Sequence, residues 1–90
     1  MNLDLYQRVL DQIKANPETW DQSLWHGSCW TKHCFAGWAE ILSGQTPEKY
    51  YFGTRSRAAR ALKISVSQAE YLFHADRTLA DFAVYLEQHS

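Results

Sequence analysis

The first segment of the chain has apolar residues at regular intervals, with polar residues between them. Its apolar residues recur at spacings of three and four, which places them on one face of an α-helix. They are Leu3, Leu5, Tyr6, Val9, Leu10 and Ile13. Pro17 disfavours a helical conformation at the preceding Asn16. The pattern therefore predicts a first helix over residues 3–15.

A second apolar stripe lies in the middle of the chain. It consists of Cys34, Phe35, Trp38, Ile41 and Leu42. Thr31 is a favourable N-cap residue before the stripe, and Gly44 is typical of the position just after a helix. We expect this second helix to be the most buried one and the centre of the fold.

Two aromatic segments flank the second helix. Residues 18–28 lack a clean period and contain Trp20 and Trp25, which predicts an ordered loop with room for one helical turn. Residues 45–53 are short, aromatic and bounded by Pro47 and Gly53, so an isolated β-bridge fits there better than a sheet. Aromatic residues in loops are a first indication of a binding surface.

Three further short helices follow. Thr54 or Ser56 is expected to cap a third helix that ends near Ile64, and Ser65 with Gln68 forms a capping-box pattern for a fourth. Thr78 to Asp81 gives a similar pattern before a fifth helix. Residues 1–90 therefore predict an all-α fold, a compact single domain of about five short helices with ordered aromatic loops.

Composition and charge restrict the classes of partner. The chain has 90 residues, 46% of them hydrophobic, and a net charge of −1. No global positive field attracts nucleic acid or an anionic membrane, so a nucleic-acid partner is disfavoured. No apolar run approaches the roughly 18 residues of a membrane span, and the N-terminus is not a basic leader. We expect a cytoplasmic protein with no membrane association. The sequence does not decide between a monomer and a homo-oligomer.

Cysteine and histidine residues are concentrated before the second helix. His26, Cys29, His33 and Cys34 are all zinc-ligand types, but they do not form two separated ligand pairs. We therefore predict no metal and no cofactor. The helix N-terminus and Lys32 favour a lowered pKa for Cys34, which leaves a Cys29/Cys34 thiol redox protein as one alternative function. Packing of Cys34 in the core is the preferred interpretation.

Aromatic and basic residues suggest a surface that binds a partner. Arg55 and Arg57 follow an aromatic segment, so guanidinium groups, backbone N–H groups and stackable rings converge. Aromatic and arginine side chains also dominate binding hot spots. The candidate surface consists of Trp25, Trp30, Lys32, His33, Tyr50, Tyr51, Arg55 and Arg57. Its expected partner is a protein or an anionic, nucleotide-like ligand.

Residues 57–70 also have the pattern of a helix-turn-helix, so a DNA-binding regulator is a second alternative function. The second helix of this pair has no Lys or Arg before Arg77, which favours a hairpin used for packing. No nucleophile elbow or complete catalytic set marks the chain, so we predict no enzyme activity and no catalytic residues.

The run Gly27-Ser28-Cys29-Trp30-Thr31-Lys32-His33-Cys34-Phe35-Ala36-Gly37-Trp38 precedes an Ala58-Ala59-Arg60-Ala61-Leu62 helix and a Gln68-Ala69-Glu70-Tyr71-Leu72-Phe73 helix. Over about residues 17–85 this order resembles a loose group of small uncharacterised bacterial and phage proteins with a C-G-T-x-x-C-x-A-G-W-like core. The chain departs from that core at Trp30, where the group has Gly. The resemblance implies a shared fold unit and does not indicate a function. It is compatible with a phage or host-defence accessory protein.

Overall fold

The computed structural model describes residues 1–26, 32–44 and 53–89. Within these residues the chain forms five α-helices: α1 (Leu3–Ala15), α2 (Phe35–Leu42), α3 (Thr54–Leu62), α4 (Val66–Leu72) and α5 (Leu79–His89). One 3₁₀ turn follows α1 at Pro17–Thr19. The described part contains no strand, and the protein is an all-α single domain, as the sequence predicts. None of its described helices is long and apolar enough to cross a bilayer.

The ends of α1 and α4 follow from local capping. The Asn2 side chain accepts a hydrogen bond from the Leu5 backbone N–H at 3.1 Å, and α1 ends just before Asn16. At α4, Ser65 Oγ accepts from the Gln68 N–H at 3.1 Å while the Gln68 side chain accepts from the Ser65 N–H at 2.9 Å. The predicted boundary of α1 and the predicted capping box of α4 are both confirmed.

The start of α5 is capped in the same reciprocal way. Asp81 Oδ2 accepts from the Thr78 N–H at 2.8 Å, and Thr78 Oγ1 accepts from the Asp81 N–H at 3.3 Å. The start of α3 differs from the prediction, because Gly53 occupies the cap position in a left-handed conformation with φ +84° and supplies no side-chain cap. Thr54 is the first residue of α3, and its hydroxyl points into the interior.

The start of α2 also differs from the prediction. The helix begins at Phe35, and its N-cap is Cys34, whose Sγ accepts from the Gly37 N–H at 3.4 Å. The residue before it, His33, is in an extended bridge: its N–H donates to the Thr19 carbonyl at 2.9 Å, and its carbonyl accepts from the Asp21 N–H at 3.1 Å. Because these backbone groups pair with a distant segment, the helix cannot start earlier. The predicted cap Thr31 lies outside the described residues, as does the bridge predicted within residues 45–52.

The core forms where α2 packs against α1 and α3 and where α5 closes over α1. Phe35 of α2 lies between two rings, with centroids 4.8 Å from Tyr6 and 4.4 Å from Phe82. The Tyr6 hydroxyl donates to the Phe82 carbonyl at 2.8 Å in the buried interior. The apolar face of α1 and the central place of α2 agree with the sequence pattern.

We expect Tyr6→Phe to destabilise the protein by about 1 kcal/mol, because the buried hydrogen bond from the Tyr6 hydroxyl to the Phe82 carbonyl is lost. Tyr71→Phe is the matched control: Tyr71 is exposed, so the same atom change should cost less than about 0.5 kcal/mol. Urea denaturation followed by circular dichroism measures both. Equal midpoints for the two variants would contradict a stabilising role of the Tyr6 hydroxyl.

Candidate functional site

The structure divides the predicted binding residues into two groups. Trp25, Lys32 and Arg55 are exposed, with Trp25 retaining 37% of its accessible surface. His33 is buried, and Arg57 turns inward to pair with Glu40. Trp30, Tyr50 and Tyr51 lie outside the described residues. The described residues therefore contribute an exposed part, around Trp25 and Arg55, and an interior polar part.

Glu40 is the centre of the interior polar part. Its side chain has no accessible surface, although it lies on the mostly apolar helix α2. Oε1 accepts hydrogen bonds from His26 Nε2 at 2.9 Å and from Thr54 Oγ1 at 3.2 Å, while Oε2 pairs with Arg57 Nε. Since His26 precedes α2 and the other two residues belong to α3, one carboxylate connects three parts of the chain. We call Glu40, His26, His33, Thr54 and Arg57 the Glu40 cluster.

Two opposing effects set the ionisation of Glu40. Burial raises the pKa of this carboxyl, whereas the hydrogen bonds from Arg57 and His26 and the charge of Arg57 lower it. The lowering effects are larger together, so the pKa of Glu40 lies below its ordinary value. Glu40 is therefore an anion at neutral pH, neutralised by Arg57.

His33 extends the cluster by one imidazole. Its Nδ1 lies 2.7 Å from His26 Nδ1, and both rings are buried. With His26 Nε2–H donating to Glu40, a neutral His26 has a bare Nδ1 that can only accept. The proton between the two rings then belongs to His33. The geometry thus selects the Nε2–H tautomer of neutral His26 and the Nδ1–H tautomer of His33.

Gly37 permits the segment that carries His26 to approach α2. A Cβ at this position would overlap the Trp25 carbonyl oxygen and would lie 3.1 Å from His33 Cβ and 3.2 Å from His26 Cε1. The Cys34 thiol also donates to the Trp25 carbonyl at 3.8 Å. The backbone at Trp25 is therefore held directly against the first turn of α2, and its indole faces outward from this anchor.

Trp25 forms one wall of an open cleft of about 300 Å³. The cleft is lined by Trp25, Arg55, Ala69, Glu70, Phe73 and His74. Trp25 meets the edge of Phe73 with ring centroids 6.2 Å apart, and Arg55 Nη2 pairs with Glu70 Oε1 at 3.4 Å on the exposed side. A second depression of about 280 Å³ continues past Arg55 and Ala69 to Val66. We call the first of these the Trp25 cleft.

The environment of Cys34 disfavours thiolate chemistry. Cys34 is a buried free thiol, and burial raises its pKa to about 11. The sequence-based expectation of a lowered pKa is therefore wrong, because removal from water outweighs the backbone N–H groups at the start of α2. The preferred interpretation, packing in the core, is confirmed. Cys29 lies outside the described residues, which contain no group of three or more metal-ligand side chains.

Sequence reasoning missed Glu40, Gly37 and the structural role of His26. A signal for Glu40 was present, since it follows the buried Phe35, Ala36 and Ala39 at helical spacing and thus falls on the inner face of α2. A lone acid on such a face predicts a cationic partner. The identity of that partner could not be predicted, because Arg57 lies 17 positions from Glu40 in the sequence and the contact is tertiary.

Comparisons with known proteins add no family to this picture. The chain matches no protein-family model, no curated protein and no solved structure.

We expect Gly37→Ala to destabilise the protein by about 3 kcal/mol, because the new methyl group meets a backbone oxygen that cannot move without displacing the Trp25 segment. Gly44→Ala is the control from the end of the same helix, where a Cβ meets nothing within 4 Å. Its left-handed backbone should cost only about 1 kcal/mol. Thermal and urea unfolding measure both, and a wild-type midpoint for Gly37→Ala would contradict the close approach.

We expect Arg57→Met to destabilise the protein by about 3–5 kcal/mol at pH 7, because it leaves the buried Glu40 anion without its cation. Arg55→Met removes an arginine from the same helix, but its pair with Glu70 is exposed and should contribute less than about 1 kcal/mol. Since the folded protein lowers the pKa of Glu40, the Arg57 contribution should be complete at neutral pH and decline below about pH 4. An equal decrease in unfolding free energy for Arg57→Met and Arg55→Met at pH 7, measured by urea denaturation, would contradict a buried charge pair at Glu40.

Proposed function

We propose that this protein is a non-enzymatic binding protein whose contact surface includes the Trp25 cleft. The observation that carries the proposal is the exposed Trp25 indole, which lies beside Phe73 in an open cleft with Arg55 and Glu70 at its rim. A large aromatic side chain next to an arginine is typical of the residues that contribute most to protein recognition. Its backbone is held against α2, so the indole is presented without a large cost of ordering a loop.

A protein partner is favoured over an anionic, nucleotide-like ligand. Small-molecule sites usually enclose most of their ligand, whereas the Trp25 cleft is open on one side. Arg57 is committed to Glu40, and Arg55 has the carboxylate of Glu70 beside it, so both arginines of the predicted surface have an acidic partner. A partner that places an apolar side chain against the exposed Trp25 indole and a carboxylate near Arg55 fits this arrangement.

The two alternative functions have less support from the described residues. The buried thiol of Cys34, with its raised pKa, is a poor redox nucleophile. Helices α3 and α4 form a hairpin, but the exposed side of α4 presents Glu70 and Tyr71 and no basic residue for DNA phosphates. A phage or host-defence accessory role in the cytoplasm is part of the proposal and rests on the sequence resemblance alone.

We expect Trp25→Ala to lower retention of a specific protein partner at least about tenfold, because truncation of an aromatic hot spot commonly costs more than about 1.4 kcal/mol of binding. The measurement is affinity capture on immobilised protein from cells that naturally express it, quantified by mass spectrometry. Val84→Ala is the matched control, since Val84 is an exposed apolar residue on α5 away from the cleft.

A second variant, Glu70→Arg, tests the rim without truncating a packed ring, because the Glu70 side chain is well exposed. The comparison is valid only if Trp25→Ala and Glu70→Arg each keep a melting temperature within a few degrees of wild type. Equal capture by wild type, Trp25→Ala and Glu70→Arg would overturn the assignment of the cleft. A nonprotein mass that is released on denaturation would favour the small-ligand alternative.

A further inference from the structure

Helix α4 begins with a protruding apolar side chain. Val66 is its first residue and keeps 73% of its accessible surface, more than any other large apolar residue that the structure describes. Val66 therefore gains little from folding, and its burial against an apolar surface of another molecule is favourable. The Trp25 cleft lies at the other end of α4, where Phe73 follows the last helical residue.

A groove connects Val66 to the Trp25 cleft. The second depression is lined by Val66 together with Arg55 and Ala69, and Arg55 and Ala69 also line the cleft. Ala69 lies three residues after Val66 and four before Phe73, so these residues share one side of α4. The groove is about 10 Å long, since seven residues separate its ends. Ala69, with its small side chain, marks the middle.

The two ends of this groove are complementary in shape. In a two-fold symmetric contact, residue i of one copy meets residue j of the other, and j meets i. If two α4 helices cross antiparallel at Ala69, Val66 of each copy lies over the Trp25 cleft of the other. One chain thus supplies both the protruding side chain and the depression that can receive it.

The charges along the groove are complementary in the same sense. Glu70 lies one helical turn after Val66 with 65% of its side chain exposed, and Arg55 borders both depressions with 45% exposed. The antiparallel crossing brings Glu70 of each copy to the middle of the other groove, near Arg55. Within one chain Arg55 and Glu70 share one contact at 3.4 Å, which leaves a guanidinium and a carboxylate with further donors and acceptors.

We propose that the partner of the Trp25 cleft is a second copy of this chain, in a two-fold dimer whose α4 helices pack antiparallel across Ala69. This inference rests on the proposed function, because it assigns the partner of the same cleft. Val66 and Glu70 of the second copy are the apolar side chain and the carboxylate that the cleft and Arg55 fit. The contact is small, so the dimer should be weak and should exchange rapidly with the monomer.

The first test is sedimentation equilibrium of the whole chain from about 10 μM to 1 mM, a range suited to weak contacts. The mean mass should rise from that of a monomer toward twice that value. Val66→Ala should lower the association constant about tenfold, because each dimer buries two of these side chains. Val84→Ala removes the same atoms from an exposed site on α5 and should stay within about twofold of wild type.

The second test exchanges the charges. Arg55→Glu and Glu70→Arg each place like charges across the two-fold axis, so each variant alone should associate at least about fivefold more weakly than wild type. An equimolar mixture of the two variants should recover dimers. One copy then carries two acidic groups at these positions and the other two basic groups, so both contacts between the chains join opposite charges. Each chain keeps its own like-charge pair in the mixture, so recovery reports the contact between chains.

Several outcomes would overturn the dimer. They are a wild type that stays monomeric throughout the range, equal association of Val66→Ala and Val84→Ala, no recovery in the mixture, and dimerisation that Trp25→Ala leaves unchanged. A monomeric wild type that still captures a different protein through Trp25 would overturn the second copy as partner and leave the binding proposal intact. Dimerisation that persists in Trp25→Ala, together with equal capture by wild type and Trp25→Ala, would overturn both.

Discussion

The buried charge of Glu40 is the constraint on which the arrangement of this small domain depends. A carboxylate without accessible surface is tolerated only when a counter-charge and several donors surround it. Here the guanidinium comes from Arg57, and the remaining donors are His26 and Thr54. Because these residues precede and follow α2, satisfying one side chain fixes the places of α3 and of the segment before α2. Gly37 completes the arrangement, since it leaves room for the backbone that delivers His26.

This constraint also determines which residues are left for a partner. Two side chains that the sequence assigns to a binding surface, His33 and Arg57, are used in the interior. The commitment of Arg57 removes one of the three cationic side chains that would suit a phosphate, and Arg55 has Glu70 beside it. The remaining exposed group near the cleft is smaller and more mixed in character: the Trp25 indole, which packs against the buried Phe73, and the exposed ion pair between Arg55 and Glu70. Such a surface has more in common with protein contacts than with a nucleotide pocket.

Local rules were sufficient for the start and end of α1 and for the starts of α4 and α5, but they gave the wrong cap for α3. The period of α1 and the reciprocal caps of α4 and α5 involve residues within four positions of one another, and the sequence predicted them correctly. The start of α2 was misplaced because His33 pairs its backbone with Thr19 and Asp21, a contact that no local pattern shows. Arg57 was assigned to the surface because arginine is usually exposed, although the position of Glu40 on the inner face of α2 already required a cation.

The position of Trp25 follows from polar contacts more than from burial of its own ring. With 37% of its surface exposed and an edge contact to Phe73, the indole gains only part of the stabilisation that a core tryptophan would have. The contacts of its backbone and of the next residue are more specific. The Trp25 carbonyl contacts Gly37 and Cys34, and the His26 side chain is hydrogen-bonded to Glu40 and His33. A partly exposed aromatic residue held in this way can be presented at a surface without collapsing into the core. The interior polar cluster is therefore the physical reason that the surface residue is ordered.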